Sequence, residues 1–523
     1  MNVHLRVFPM ALFFIGIVAG NAVPVFAASA EKSAEAQETS ELKRFNFADV
    51  HRRAAVLAEQ PFKEEEAALP DYLRDLNYDQ YQDIRFRTDK TLWRQEKLPF
   101  EVQFFSRGFM FNRRVAINIV DSGEVTPVTF ARDLFDFGRN PIPEEMPADL
   151  GFAGFRLLYP INRDDFYDEV AVFLGASYFR SVGQHQNYGI SARGLAIDTG
   201  LTKVEEFPFF REFWIEKPDR DATSINVYAL LDSDSVTGAY RFIIKPGLAT
   251  VIEVKANLFL RKKVEKLGVA PLTTMFFHGD LTERYMDDFR PGVHDSDGLL
   301  MAMGSGERLW RPLNNPRRLR ITSFQDQNPR GFGLLQRDRN FSHYQDLESL
   351  YHTRPSTWVE PIGDWGKGVV QLIEIPSEAE RYDNIVAFWI PEGPAEAGQE
   401  LVYEYRLSFG KDPEGRLVGG KTLASFVGSG GTDILQHDRR RFVIDFVGEE
   451  LAQLNPEEPV EIVVNASSGQ VINSAVQQNP FTGGWRGFFE LVPEGTSMVD
   501  LRVFLKRGPD VLTETWSYQW NPE

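Results

Sequence analysis

Apolar and polar residues alternate over much of the chain from about residue 98 onward, a pattern typical of half-buried β-strands. In AYRFIIKPG, the residues Tyr240, Phe242 and Ile244 fall on one face, and a second alternating run extends from Ile252 to Leu260. Polar turns separate these runs, and no long helical pattern lies between them. Repeated strands of this kind predict an all-β protein whose first and larger part is a β-sandwich.

A change in composition marks a boundary after the predicted strand ELVYEYRLSFG. The next stretch, KDPEGRLVGG, concentrates glycine, proline and charge, so we place a linker at 411–423. Short strands continue after it in RRFVIDFVG, VEIVVNASSG, WRGFFELVP, VDLRVFLKRG and ETWSYQW. Their number and length predict an immunoglobulin-like β-sandwich over 424–523, although the Cys–Trp–Cys pattern of antibody domains is absent. The larger β-sandwich then covers 44–410.

Helical spacing is confined to a region near the N-terminus, where FADVHRRAAVLAEQPF and LPDYLRDLNYDQYQDIRF predict two short helices. Residues 1–27 combine a weakly positive start, the apolar run MALFFIGIVAG and small residues before Ala28, which is the pattern of a secretory signal peptide. An uncleaved N-terminal anchor is the alternative. Residues 28–43 are polar and predict a mobile start of the exported chain. We expect a periplasmic protein that is soluble once the signal peptide is removed.

Composition and charge narrow the class of function. A chain of 523 residues is longer than one hydrophobic core usually organises, so we expect two or three domains. The formal net charge of −18 argues against nucleic acid as a partner, because binding phosphates requires lysine and arginine. The chain has no cysteine, which excludes disulfides, cysteine–zinc sites and thiol nucleophiles. An exported protein of this size without cysteine fits a bacterial periplasm.

Polar, basic and aromatic residues are most densely mixed between about residues 290 and 390. Loops of this composition suit a neutral polyhydroxyl ligand, because planar rings stack on sugars while charged groups bind hydroxyls. Candidates for stacking on sugar rings are Trp310, Trp358, Trp365 and Tyr351. Ordinary packing in the core is the alternative for each of them.

Two acidic stretches in this region could carry chemistry. Asp383, in RYDNIVAFW, lies at the start of an apolar strand, where partial loss of solvent would favour the neutral carboxyl that a general acid needs. Asp295 and Asp297 lie in VHDSDGL, and both stretches are also consistent with ordinary turns. A calcium loop of the EF-hand type is excluded, because Val293 and Gly304 would occupy ligand positions. Two separated carboxylates that flank a glycosidic bond remain the enzymatic scheme that fits.

The chain resembles the periplasmic glucan biosynthesis protein G/D family in segments spread over nearly the whole exported sequence. The matching segments are FNFADVHRRAAVLA, GASYFR, YGISARGLAIDTG, YRFIIKPG, VHDSDGL, WRPLNNP, NPRGFGLLQRDRNFSHYQDLE and RPSTWVEPIGDWGKGVVQLIEIP. The start lacks the twin arginine of the D-type proteins, so the chain resembles the G type more closely. The resemblance implies a large N-terminal β-sandwich similar to galactose mutarotase, with a long cleft, followed by an immunoglobulin-like domain.

The resemblance also implies a function and the residues that perform it. The family is needed to make osmoregulated periplasmic glucans with a β-1,2-linked glucose backbone, and members are recognised as inverting endo-β-1,2-glucanases. In that scheme Asp383 is the general acid, Asp295 is the general base and Tyr351 relays protons, with Asp297 as the alternative base. Arg193, in SARGLAID, matches a residue that contacts the substrate. No metal or organic cofactor is implied.

Two other functions are compatible with the same features. A non-catalytic protein could bind the glucan as a scaffold for the inner-membrane glucan synthase and use its C-terminal sandwich for docking. A transglycosylase would branch or cyclise the glucan, with an acceptor sugar in place of water.

Overall fold

β-Strands are the main regular elements of the structure, a computed structural model that describes residues 44–64, 69–283, 286–412, 419–431, 434–495 and 498–521. The predicted signal peptide 1–27 and the predicted mobile segment 28–43 lie outside the described residues. From Phe45 onward the described residues belong to one compact unit. Within those ranges we find no helix with the length and apolar character needed to cross a membrane. The prediction of an all-β protein is confirmed.

The helices that the structure describes are short and few. The α-helices are α1 (Phe47–Ala58), α2 (Asp71–Arg74), α3 (Tyr78–Gln82) and α4 (Glu449–Ala452), and 3-10 helices lie at Thr88–Lys90, Arg132–Leu134, Phe341–His343 and Tyr351–Thr353. Helix α1 begins at a capping box in which the Asn46 side chain accepts from backbone N–H groups of the first turn. The second predicted helix is two helices, because Asn77 caps α3 and so starts a new helix within that stretch.

The strands are numbered in chain order. The first group is β1 (Arg85–Phe86), β2 (Glu101–Phe105), β3 (Ala116–Asp121), β4 (Glu124–Pro127), β5 (Phe135–Asp136), β6 (Gly154–Arg163), β7 (Phe166–Leu174), β8 (Tyr178–Ser181), β9 (Ser191–Arg193), β10 (Leu195–Ile197), β11 (Phe209–Glu216), β12 (Ile225–Asp232), β13 (Val236–Lys245), β14 (Thr250–Leu260), β15 (Leu267–Thr274) and β16 (Phe276–His278). The second group is β17 (Val293–His294), β18 (Gly298–Ala302), β19 (Arg308–Pro312), β20 (Arg320–Gln327), β21 (Gly331–Leu335), β22 (Ser356–Ile362), β23 (Lys367–Glu374), β24 (Ile385–Pro391), β25 (Glu400–Gly410), β26 (Lys421–Gly430), β27 (Gln436–Val447), β28 (Glu461–Ala466), β29 (Gln470–Asn479), β30 (Gly484–Val492), β31 (Val499–Arg507), β32 (Asp510–Val511) and β33 (Thr515–Trp520).

Two large sheets and one smaller sheet organise these strands. The ten-stranded sheet runs in the order β2-β6-β7-β8-β9-β15-β24-β23-β20, with β10 paired to β15. The fifteen-stranded sheet runs β28-β31-β33-β19-β18-β21-β22-β25-β14-β13-β12-β11-β3-β4, with β32 paired to β31, and the four-stranded sheet runs β26-β27-β30-β29. Two-stranded sheets join β1 to β5 and β16 to β17. The alternating run around Tyr240 forms β13, which pairs antiparallel with β14 so that Tyr240 lies opposite Ala256.

The larger hydrophobic core contains residues of both large sheets. Phe173 of the ten-stranded sheet and Phe242 of the fifteen-stranded sheet, for example, have ring centroids 5.2 Å apart in an edge-to-face arrangement. Such a pair contributes about 1 kcal/mol beyond the burial of its area. The two sheets therefore face each other across one core, as the prediction of a large β-sandwich requires.

The C-terminal strands share a sheet with the rest of the chain. Strand β33 pairs parallel with β19, with Trp516 opposite Trp310, and this pairing extends the fifteen-stranded sheet to β31 and β28. A second core of buried residues lies here, including Trp310, Phe442, Phe489 and Trp516. The proposed domain boundary at 411–423 and the immunoglobulin-like character of 424–523 stay predictions, and residues 413–418 of that boundary lie outside the described residues.

Candidate active site

Neighbouring strands of the ten-stranded sheet position the segment that contains Asp383. Strands β8, β9, β15 and β24 are adjacent in that order, Ser191 of β9 lies opposite Thr273 of β15, and Thr273 lies opposite Val386 of β24. The Arg180 guanidinium of β8 donates to the Ser191 hydroxyl at 2.7 Å. Asp383 lies two residues before β24 begins.

Asp295 lies in the bend between β17 and β18 and is the most deeply buried candidate carboxyl, with 3% of its surface exposed. Its backbone N–H donates to the Met275 carbonyl at 2.9 Å, and its carboxylate accepts a short hydrogen bond from the Arg354 guanidinium. Burial raises the pKa of Asp295 to about 6; the Arg354 charge opposes this shift, and the charge of Asp383 adds to it. Asp295 and Asp383 are therefore close enough to interact electrostatically.

Asp383 is exposed, so the burial expected at the start of the apolar strand is wrong for this residue. The next residue, Asn384, is the buried one. Its amide donates to the carbonyls of Phe276 and Ile375, both at 3.0 Å, and accepts from the Phe276 N–H at 2.8 Å. These bonds fix the chain just before β24 and leave the Asp383 carboxyl facing solvent.

Tyr351 connects this region to a second acidic side chain. Its ring is buried, and its hydroxyl donates to the Glu380 carboxylate at 3.1 Å. The Arg354 guanidinium lies 4.5 Å from the centre of the Tyr351 ring. Burial raises the pKa of the Tyr351 hydroxyl, so it stays protonated at neutral pH and can both donate and accept a hydrogen bond.

An ion-pair cluster around Arg290 joins three loops at the site. Its guanidinium lies 2.7 Å from Asp288, 2.7 Å from Asp346 and 2.8 Å from Glu380, the residue that accepts from Tyr351. Sequence reasoning missed Arg290 and Glu380. The run RYMDDFRP has the mixed charges of such a cluster, but its partners are distant in the sequence.

Arg193 is buried beside the same group of residues. Its guanidinium pairs with Glu205 at 2.7 Å and lies 4.7 Å from the ring centre of Tyr178 and 5.4 Å from that of Phe207. Burial raises the pKa of Tyr178, the Arg193 charge opposes this, and the charge of Asp383 contributes to the rise. Tyr178 therefore lies within electrostatic range of both Arg193 and Asp383.

Asp297 differs from Asp295 in its surroundings. Its carboxylate accepts from the backbone N–H of Asp338 at 2.8 Å and from that of Arg337, and it lies 3.7 Å from the His294 ring nitrogen. Burial raises the pKa of Asp297, whereas His294 and these backbone donors lower it. The bend thus turns its two carboxyl groups toward different parts of the molecule.

The three tryptophans proposed for stacking on sugars are buried. Trp365 packs against Trp389, Tyr403 and Tyr405, and its indole N–H donates to the Glu404 carbonyl at 3.3 Å. Trp358 and Trp310 belong to the second core, and the Arg337 guanidinium covers the Trp310 ring at 3.6 Å. Packing alone accounts for these positions, and stacking by these three residues stays a prediction.

The described residues contain no group of three or more histidine, aspartate or glutamate side chains that could hold a metal ion. The side chains that carry functional groups at the site are carboxyl, phenol and guanidinium groups. Asp383 is exposed and Asp295 is buried, and Arg354 contacts both Asp295 and the Tyr351 ring. This arrangement suits proton transfer to and from an uncharged substrate.

Sequence comparisons with known proteins identify the family of this chain. The family model described as "Periplasmic glucan biosynthesis protein, MdoG" matches residues 45–520. "Glucans biosynthesis protein G" of Bradyrhizobium diazoefficiens is 48% identical over 97% of this chain and 99% of its own length. "Glucans biosynthesis protein D" of Stenotrophomonas maltophilia (strain K279a) is 46% identical over 96% of this chain and 94% of its own length.

Among solved structures, a galactose mutarotase related enzyme from Lactobacillus acidophilus covers 50% of this chain and 91% of its own, with 9% identity and a TM-score of 0.14, a value too low to support the predicted likeness. The family model and both relatives match nearly all of the described residues. The chain belongs to the periplasmic glucan biosynthesis protein family MdoG.

Proposed function

We propose that this chain is a periplasmic endo-β-1,2-glucanase that cleaves its glucan with inversion of configuration, with Asp383 as acid and Asp295 as base. The observation that carries the proposal is a buried carboxyl, Asp295, held by the Arg354 guanidinium that also covers the Tyr351 ring, together with the exposed carboxyl Asp383 before β24. The names of the relatives refer to glucan biosynthesis, which supports a glucan as the substrate class. In this role the enzyme trims the glucan or sets its length.

The two carboxyl groups divide the proton transfers of hydrolysis between them. Asp383 gives its proton to the glycosidic oxygen as the bond to the anomeric carbon breaks, and Asp295 takes a proton from the attacking water. Water attacks the face opposite the leaving sugar, so the configuration inverts. A bound saccharide would exclude water from Asp383, and this desolvation favours the protonated acid that the step requires.

Asp295 has the character of a base at neutral pH. A pKa of about 6 leaves it largely ionised at pH 7 while keeping it a stronger proton acceptor than an ordinary aspartate. Tyr351 and intervening water would carry the proton from the attacking water to Asp295. The Arg354 guanidinium, which binds Asp295 and covers the Tyr351 ring, holds these two groups in place.

The experiment that tests this proposal follows chain length during incubation with linear β-1,2-glucan. Wild-type protein should shorten the glucan, and Asp383→Asn and Asp295→Asn should not. Proton NMR of the first products should show the inverted anomer. Binding without shortening by the wild type would overturn hydrolysis, and longer or branched products would indicate transfer to a sugar acceptor.

A scaffold for the inner-membrane glucan synthase is the second candidate, because the relatives' names describe biosynthesis and do not mention hydrolysis. A scaffold would bind the glucan at the same residues without changing it. Co-purification of this chain with the synthase, lost on substitution of surface residues in 424–523, would support that role. The description of the family as periplasmic supports a periplasmic location for either activity, and the predicted signal peptide 1–27 is consistent with it.

A further inference from the structure

A cavity of about 770 Å³ is lined in part by His294 and Asp297, which lie on either side of Asp295 in the chain. β26 and the β29–β30 turn contribute Ala424, Phe426 and Thr482 to its lining. The lining also includes Asp280 and Asp338. Its described lining includes none of the three residues proposed for catalysis. Its volume is within the range of about 300–1,000 Å³ that small-molecule sites occupy.

The charged groups of the cavity wall are largely compensated within the protein. Asp338 lies 2.6 Å from a ring nitrogen of His343, and Asp445 pairs with Arg486 at 2.7 Å. The Arg337 guanidinium pairs with Glu514 at 2.6 Å. Because these three lining charges have partners of opposite sign, the cavity favours a neutral polar ligand over a strongly charged one.

The cavity also has free hydrogen-bonding capacity next to apolar surface. The Asp280 carboxyl accepts no hydrogen bond from any residue that the structure describes, and its side chain is exposed at the wall. Loss of solvation raises the pKa of Asp280, and the charges of Asp297 and Asp338 add to the rise. Phe426 is 41% exposed, and Phe481, which precedes the lining residue Thr482, is 97% exposed.

We infer that this cavity is a second binding site for a neutral saccharide, built from the aromatic and aliphatic surface of β26 and the polar groups around Asp280. Exposed rings supply flat apolar faces for the C–H side of a sugar, and fixed polar groups bind its hydroxyls. That the saccharide is a β-1,2-glucan segment rests on the proposed function. The site would hold one part of a chain while another part occupies the catalytic residues.

Two matched variants of β26 test the inference in the full-length chain. Ala424→Trp places a large ring in the cavity without removing a polar group, since Ala424 lines it. Gly428→Trp adds the same ring on the same strand at a position where a new Cβ meets nothing within 4 Å. Each is combined with Asp383→Asn, which prevents turnover, and titrated with a linear β-1,2-linked gluco-oligosaccharide in a calorimeter.

We expect two saccharides to bind per chain of Asp383→Asn, the parent, and per chain of Asp383→Asn with Gly428→Trp. We expect one saccharide to bind per chain of Asp383→Asn with Ala424→Trp. Asp280→Asn, which keeps the shape of the side chain, should weaken the cavity site about tenfold through loss of a charge-assisted bond. One saccharide per chain in all variants would overturn the second site and leave the proposed function standing. No binding in any variant would overturn both.

If Ala424→Trp binds no saccharide at all while the parent binds it, the result would support the cavity site. It would also count against glucan binding at the catalytic residues. If Ala424→Trp does not fold, Asp280→Asn alone decides: unchanged affinity at both sites overturns the inference. A thermal unfolding scan of each variant establishes folding before the titration.

Discussion

The bend between β17 and β18 separates two regions that use the same residue type differently. Asp295 and Asp297 are both carboxyl groups whose pKa burial raises. Asp295 is bound by a side chain, the Arg354 guanidinium, whereas Asp297 is bound by two backbone N–H groups. The proposed function assigns the reactive role to Asp295, whose partner is a side chain beside Tyr351, and a structural role to Asp297, whose partners belong to the backbone.

The largest expected effect comes from removing either carboxyl of the proposed pair. Asp295→Asn and Asp383→Asn should each lower the rate of glucan shortening by about 10²–10⁴-fold, the usual contribution of a general acid or base. The rate is measured as reducing ends released over time. Turnover within tenfold of the wild type for either variant would break the assignment and the comparison with Asp297.

The proposed proton relay predicts a smaller loss of rate for Tyr351→Phe. This variant removes the hydroxyl that donates to Glu380, and we expect kcat to fall about 10–100-fold with little change in KM. Tyr344→Phe is the matched control, because the buried Tyr344 hydroxyl donates only to the Asp338 carbonyl, at 3.1 Å, and should leave kcat unchanged. Equal losses in both variants would indicate a packing effect and no relay.

The raised pKa of Asp295 predicts a specific dependence of stability on pH. Because the folded state binds this proton more tightly than the unfolded state does, the free energy of unfolding falls as the pH rises through the window from the ordinary value of 3.8 to about 6. The difference between these two pKa values of Asp295 corresponds to about 3 kcal/mol in the free energy of unfolding.

This contribution is isolated by comparing urea denaturation of the wild type with that of Asp295→Asn at several pH values. The difference in unfolding free energy between the two proteins should change by about 3 kcal/mol, in favour of the variant, between about pH 4 and pH 7. A difference that stays constant across this window would show that Asp295 has an ordinary pKa in the folded protein.

The smallest effect is expected at Asp297. Asp297→Asn loses the carboxylate that accepts from Arg337 and Asp338, so the free energy of unfolding should fall by about 1–3 kcal/mol. Turnover of β-1,2-glucan should stay within a few-fold of the wild type. If this variant keeps its stability and loses its turnover, the structural and reactive roles of the two aspartates are reversed.

The sequence predicted those parts of the fold that depend on local pattern. Alternation around Tyr240 predicted β13 and β14, and the segment FADVHRRAAVLA predicted α1, because side-chain periodicity follows directly from strand and helix geometry. The parallel pairing of Trp310 with Trp516 was not predicted. No short-range pattern specifies which distant strands become neighbours in a sheet.

At the site, the sequence named candidate residues but not their environments, and the roles of these residues stay predictions. Asp295 and Asp383 were selected by resemblance, and the structure brings them within electrostatic range. The expected burial of Asp383 was wrong, because Asn384 makes the buried contacts at the start of β24. Glu380 and Arg290 were missed because their bonds join loops that are far apart in the sequence.

The parallel pairing of β19 with β33 has a consequence for how the chain acquires its fold. The two strands, Arg308–Pro312 and Thr515–Trp520, lie far apart in the sequence, so this edge of the fifteen-stranded sheet closes only when a distant segment docks onto it. Contacts between segments so far apart slow folding, because a long loop must be closed before they form. A partly folded chain therefore presents an unpaired strand edge at β19 until that segment docks.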